Sequence, residues 1–281
     1  MHVPLLLLAL LAPLSLASGP APLAYEHQGQ LFTSTRTKSH CASGVLTGTN
    51  STGKFETVGG INTYLAYPPR KSENNTDVAI LYLSDIFGVQ LVNNRLLADS
   101  FALAGYFVAE PDLFGGDAIP VDGLSDPSFN FTAWNERHPP EVIDAIVAST
   151  IASLRQEYGV KKIVATGYCF GGKYIARFLA PGKGLDAGFT AHPSNVVDSE
   201  WEGIDAPLSI AYGQLDASNT PSQRAAAEAI FISKNATFQT TLYAGAEHGF
   251  AVRTNLTDPL KAFAQESAYI QAVRWFDAWA Q

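Results

Sequence analysis

The residues best suited to chemistry are Gly167-Tyr168-Cys169-Phe170-Gly171-Gly172, which set a thiol between glycines placed two positions to either side. They stand where a strand-like run, KKIVAT, gives way to a helix-like one, FGGKYIARFLA. A turn this tight holds its central residue in strained backbone geometry, and side chains at the flanking positions would collide with the neighbouring strand and helix. The central side chain is thereby pushed to the tip, at a helix N-terminus whose positive end favours a thiolate and later an oxyanion. The spacing is that of a nucleophile elbow with Cys in place of Ser, so acyl transfer through a thioester is the chemistry it suggests.

A thiol used in this way needs a base and a carboxylate to orient the base, positioned after later strands in the order nucleophile, acid, base. LSIAYG runs into Gly213-Gln214-Leu215-Asp216, and TFQTTLYAG runs into Ala246-Glu247-His248-Gly249-Phe250. The expected catalytic set is therefore Cys169, Asp216 and His248. His248 would take the thiol proton and hand it to the leaving alkoxide, while Asp216 fixes the imidazole tautomer. His192 also follows a strand, but it precedes Asp216 and would give an unusual order; Asp205 precedes a strand and sits at the wrong end of a sheet. No H-x-x-x-H or C-x-x-C spacing is present, so no metal site is expected, and no cofactor either.

The elements that must position these groups are legible from Ile61 onward. INTYLAYP, VAILYLS, YFVAEPD, KKIVATGY, LDAGFTAHP, APLSIAYG and TFQTTLYAG read as strands, the second almost wholly apolar as in a strand covered on both faces. LVNNRLLADSFALAG, Glu141 to Tyr158, FGGKYIARFLA, PSQRAAAEAIFISKN and a long segment from about Asp258 to Ala280 read as helices. The alternation predicts an α/β fold: a mainly parallel twisted sheet with helices on both faces, built from right-handed crossovers. Residues 113–140 are rich in Gly, Pro, Asp and Asn, with Phe129, Phe131 and Trp134 among them, and read as a long loop covering the site.

The 281 residues are 47% hydrophobic and 16% charged, enough for one large core. Residues 1–17, MHVPLLLLALLAPLSLA, read as a signal peptide ending in small residues, 18–60 as an irregular N-terminal extension, and 61–281 as the folded domain. Five Asn-x-Ser/Thr triplets, at Asn50, Asn74, Asn130, Asn235 and Asn255, together with that leader point to a secreted eukaryotic glycoprotein. The formal net charge of −8, without basic runs, argues against nucleic acid and anionic membranes, and no further window is apolar enough to anchor the mature chain. Of the two cysteines, Cys41 has only His40 for chemical company. A Cys41–Cys169 disulfide would leave a fold that merely binds a ligand, the non-catalytic alternative.

With these residues in place, the chain resembles the dienelactone hydrolase family of α/β-hydrolases, in a secreted, fungal-like form. The resemblance rests on Ser84-Asp85-Ile86-Phe87-Gly88, Pro111-Asp112-Leu113-Phe114, Gly167 to Gly172 and His248-Gly249-Phe250, and runs from about Ile61 to the C-terminus. It implies hydrolysis of a cyclic enol-lactone or related ester through a cysteinyl acyl-enzyme, without metal or cofactor. By the same resemblance the Ile86 and Phe170 amides form the oxyanion hole, and Asp85, one methylene shorter than the family's glutamate, contacts the resting thiol. Arg253 matches one of two family arginines that clamp a substrate carboxylate; where the other should stand, the chain reads Phe114-Gly115-Gly116-Asp117. A larger, less anionic small-molecule ester or lactone is therefore the expected substrate, bound by Arg253, Phe114, Trp134 and Phe250. Acyl transfer, cyclisation or isomerisation on the same thiolate is the alternative outcome.

Overall fold

Strand-forming runs in this chain are short and apolar, and helix-forming runs carry their own punctuation, so most elements settle where local chemistry puts them. The structure, a computed structural model, describes residues 45–48, 50–69 and 77–280. All of them belong to the compact unit His40–Gln281. The signal-peptide segment, much of the expected N-terminal extension, Cys41 and Asn74 lie outside the described residues.

The strands are β1 (Lys54–Val58), β2 (Ile61–Ala66), β3 (Val78–Leu83), β4 (Phe107–Pro111), β5 (Lys162–Tyr168), β6 (Ala187–Ala191), β7 (Leu208–Gly213) and β8 (Phe238–Tyr243). They form one sheet in the order β1-β2-β4-β3-β5-β6-β7-β8. β2 is antiparallel to β1 and to β4, and every pairing from β4 through β8 is parallel. β4, β6 and β7 are buried at every position, as strands with helices on both faces must be.

The helices are α1 (Val92–Leu103), α2 (Phe131–Arg137), α3 (Pro140–Gln156), α4 (Phe170–Phe178), α5 (Asp198–Glu202), α6 (Pro221–Ser233) and α7 (Pro259–Trp279). Their ends follow from sequence: α3 and α6 carry Pro at the first turn, Thr220 and Gln223 cap α6 reciprocally, and Asp258 accepts from the Leu260 and Lys261 amides at the start of α7. α7 packs on α1 through Phe101 and Tyr269, whose hydroxyl donates to the Ser100 carbonyl at 2.7 Å. In the other helical layer Arg177 of α4 binds Asp144 of α3 and Glu200 of α5 together, and Trp201 of α5 meets Phe231 of α6 edge to face. The mainly parallel, helix-covered sheet expected from the alternation is the observed fold.

Two expectations are corrected. Residues 54–58 are not irregular extension but the outer strand β1, joined to β2 by a two-residue hairpin, Gly59-Gly60, with φ of 59° and 80°. A Gly-Gly pair between two β-favouring runs is a hairpin signal, and KFETV is one such run. The segment 113–140 is not a bare loop: it holds a single 3₁₀ turn, Gly123–Ser125, and α2, started by the Asn130 side chain accepting from the Ala133 amide at 3.0 Å. The five-residue α5 also escaped the periodicity, being too short for a helical repeat to register.

Candidate active site

The β5–α4 turn is as tight as its glycines require. A Cβ added to Gly171 would lie 2.1 Å from the Leu83 carbonyl oxygen, and one added to Gly167 would lie 2.5 Å from Ile175 Cγ1, so both close approaches exclude any side chain. The Gly171 amide donates to the Ser84 carbonyl at 3.1 Å, tying the start of α4 to the loop after β3. Between these glycines Cys169 is held at φ 51°, ψ −111°, a left-handed conformation that a β-carbon disfavours. Its thiol is free and 8% exposed at the N-terminal end of α4. The expected alternative partner, Cys41, lies outside the described residues.

Asp216, past the end of β7, and His248, past the end of β8, meet at the same end of the sheet. His248 Nδ1 lies 2.9 Å from one Asp216 carboxylate oxygen and 3.0 Å from the other. An ionised carboxylate only accepts, so Nδ1 carries a proton and Nε2 is left for the sulfur side. Asp216 is held in turn by the Ser218 amide at 2.8 Å and Asn219 Nδ2 at 2.9 Å. Burial would lower the His248 pKa, but the Asp216 hydrogen bond and the hydrogen-bonding and charge contributions of Cys169 prevail and push it up to about 10. Burial would raise Asp216; the His248 contact outweighs it and holds that carboxyl below its ordinary value.

The Ile86 and Phe170 amides donate no hydrogen bond to any described residue. They flank the β3 loop and the first turn of α4, which the Gly171–Ser84 bond draws together. Free backbone donors on loops tied together at the nucleophile's turn are what a developing oxyanion requires.

Asp85 does not reach the thiol. Its carboxylate, with no solvent exposure, accepts from the Phe87 amide at 3.1 Å and Asn94 Nδ2 at 3.0 Å, and Arg253 Nη2 stands 3.2 Å from its other oxygen. Burial pushes its pKa up, and Arg253, Asn94 and Phe87 pull it back. The side chain is shorter than glutamate and is held by Phe87, Asn94 and Arg253. Arg253, expected to clamp a substrate carboxylate, lies 4.1 Å above the Phe87 ring with its charge against Asp85. Phe114, Trp134 and Phe250, expected as substrate contacts, are 4%, 1% and 1% exposed. Phe114 and Trp134 pack with His138 and Phe170, and Phe250 packs with Tyr243 and His192, so all three are first of all packing groups.

His192 is fully buried at φ 40°, neither ring nitrogen has a hydrogen-bond partner among the described residues, and burial with the nearby His248 holds it well below the ordinary histidine value. It stands edge-on to His248 at 5.2 Å, a neutral wall rather than a base. Two residues of the site escaped the sequence reading. Ser194 Oγ lies 3.7 Å from Cys169 Sγ, and Asn219 bridges Asp216 to the Pro193 carbonyl, donating to the latter at 2.7 Å. Their signal was position: Ser194 follows the C-terminal end of β6, where the other site loops emerge, and Asn219 falls three residues after the acid. Among the described residues no group of three or more His, Cys, Asp or Glu side chains is placed to hold a metal ion.

Comparison with known proteins finds a family model, described as the dienelactone hydrolase family, matching residues 61–280. A protein named hydrolase pyvD, from Aspergillus violaceofuscus, is 42% identical over 84% of this chain and 94% of its own length. Dienlactone hydrolase 1 from Gibberella moniliformis is 31% identical over 85% of this chain and 92% of its own. Among solved structures, one assigned to the dienelactone hydrolases, from Klebsiella pneumoniae, superposes with a TM-score of 0.68 at 18% identity, covering 82% of this chain and all of that one.

Proposed function

Because the chain belongs to the dienelactone hydrolase family and is a hydrolase of ester or lactone bonds, we propose that it opens a small-molecule ester or lactone through a thioester on Cys169. The observation that carries this reading is the free Cys169 thiol at the tip of a strained turn, beside an imidazole whose far nitrogen is held by Asp216 at 2.9 Å. The raised His248 value keeps the imidazole protonated at neutral pH, a positive charge on the sulfur side of the site.

Cys169 Sγ attacks the acyl carbon, and the carbonyl oxygen takes up negative charge against the Ile86 and Phe170 amides. As the intermediate collapses, His248 gives its Nε2 proton to the leaving alkoxide, and the acyl group remains as a thioester. A water then attacks the thioester carbon while His248 takes its proton; collapse expels the thiolate, and His248 is again imidazolium beside it. Asp216 fixes the tautomer throughout and remains ionised. Arg253 is already paired with Asp85 rather than waiting for a substrate carboxylate, which favours a neutral ester or lactone. Signal cleavage after Ala17 and glycans at Asn50, Asn74, Asn130, Asn235 and Asn255 are part of the same proposal.

The test is covalent. Cys169→Ala is expected to abolish turnover, and mass spectrometry of the wild type quenched with substrate is expected to place the acyl group on the peptide containing Cys169. Turnover in heavy-oxygen water should put one solvent oxygen into the acid product. Retained activity in Cys169→Ala, or acylation elsewhere, would overturn the proposal, and product without solvent oxygen would mean transfer to another acceptor.

A further inference from the structure

The family resemblance implies a carboxylate against the resting thiol, yet the one at that position is engaged elsewhere: Asp85 is taken up by Phe87, Asn94 and Arg253. A different polar group stands against the nucleophile. Ser194 is docked on the nucleophile twice, its amide donating to the Cys169 carbonyl at 3.0 Å and its hydroxyl lying 3.7 Å from the sulfur, within hydrogen-bonding range for a large, diffuse acceptor.

The loop that carries Ser194 is built to hold it there. His192 and Asn195, on either side, adopt positive φ of 40° and 55°, conformations that non-glycine residues keep only where their surroundings impose them. The Asn219 amide binds the Pro193 carbonyl and the Asp216 carboxylate together, so the group orienting the acid also fixes the residue before Ser194. On the α4 side, a Cβ on Gly172 would lie 2.7 Å from Pro193 Cβ, which brings the loop flush against the first turn of the nucleophile's helix. Ser194 itself is half-buried, so its hydroxyl faces the sulfur with limited competition from water.

We propose that Ser194 is a positioning residue that donates its hydroxyl proton in a hydrogen bond to the Cys169 thiolate, holding the sulfur between His248 and the oxyanion amides. It thereby orients a sulfur with which Asp85 makes no hydrogen bond. A hydrogen bond to the charged form of a group favours that form. A hydroxyl does so without placing a second negative charge beside the sulfur, as a carboxylate would. Once the thioester forms, the sulfur loses its charge and becomes a weak acceptor, so Ser194 acts on the resting thiolate and on the thiolate expelled at deacylation. No bond other than hydrogen bonds is made or broken by Ser194.

This inference rests on the Cys169 reading and is tested separately from it. The rate of alkylation of Cys169 by iodoacetamide is followed against pH in the wild type and in Ser194→Ala, Ser194→Thr and Ser194→Val. Thr keeps the hydroxyl and Val replaces it with a methyl of the same shape, so this pair isolates the hydrogen bond even if Ala perturbs the loop. Ala and Val are expected to move the rise of the profile about one pH unit upward, with alkylation at pH 6 about tenfold slower and the high-pH plateau retained. Thr should follow the wild type. Superimposable Ala and wild-type profiles, or superimposable Val and Thr profiles, overturn the role of Ser194. If Cys169→Ala abolishes turnover while the Ser194 profiles coincide, only this inference falls; if Cys169→Ala remains active, the nucleophile itself is wrong and the Ser194 role falls with it.

Discussion

The Asp216 side chain is fully covered while the His248 side chain is 31% exposed, so the carboxylate depends on its hydrogen bonds for compensation and the ring on the Asp216 carboxylate. His248 has its pKa raised to about 10 and Asp216 has its own lowered. The sign of each shift sets the stability it contributes. A raised histidine stabilises the fold fully below its ordinary value and stops doing so as pH rises through about 10. A lowered carboxyl stabilises above its ordinary value of 3.8 and stops as pH falls through its lowered one. Asp216→Asn removes the pair, so the Tm difference from wild type should be widest around neutral pH and close both above about pH 10 and in strong acid; a difference independent of pH would contradict the coupling. Turnover at neutral pH should fall about 10³–10⁴-fold, because the amide can hold the ring in the wrong tautomer. Neither shift could be read from residue types, since each arises from burial set against partners distant in sequence. The identities of the partners, by contrast, were legible from their places after β7 and β8.

At the scale of elements, α2 is seven residues long, too short to persist on propensity alone. Trp134 fixes it: its ring lies 5.1 Å from Phe114, 4.7 Å from His138 and 6.1 Å from Phe170, and Nε1 donates to the Asp117 carbonyl at 2.7 Å. His138 and Arg137 close the other end on the Asp117 carboxylate at 2.9 Å and 2.8 Å. Because Phe170 supplies one proposed oxyanion amide, this cluster joins the cover to the site through packing. Trp134→Ala should cost about 3–5 kcal/mol in the cover's packing. Amide hydrogen exchange over residues 117–138 should accelerate while β5 keeps its protection; uniform acceleration across the molecule would show that α2 is not an independent unit. The aromatic content of this segment was visible in the sequence. That its rings face inward rather than toward a ligand was not, because burial depends on what the rest of the chain brings against them.

Across the whole molecule, Asn50, Asn130, Asn235 and Asn255 are all exposed, as glycan attachment requires. Asn130 caps α2 through its side-chain oxygen, and a glycan on the amide nitrogen leaves that bond intact. Asn235 sits at φ 51° just past α6, the left-handed position where asparagine is second only to glycine. Protein secreted from a eukaryotic host should begin after Ala17 and lose mass on treatment with an N-glycosidase; a mature mass equal to that of the bare polypeptide would refute the glycan proposal. By itself, the sequence determined the alternation of strands and helices, the elbow around Cys169 and the order of acid and base, because hydrophobic period, glycine spacing and position after a strand are local properties. Only the tertiary structure decided that Asp85 answers to Arg253 instead of Cys169, that His192 is walled in and neutral, and that Ser194 faces the sulfur. Those outcomes are set by distances between loops from different crossovers, and such distances exist only once the sheet has brought the loops to one end.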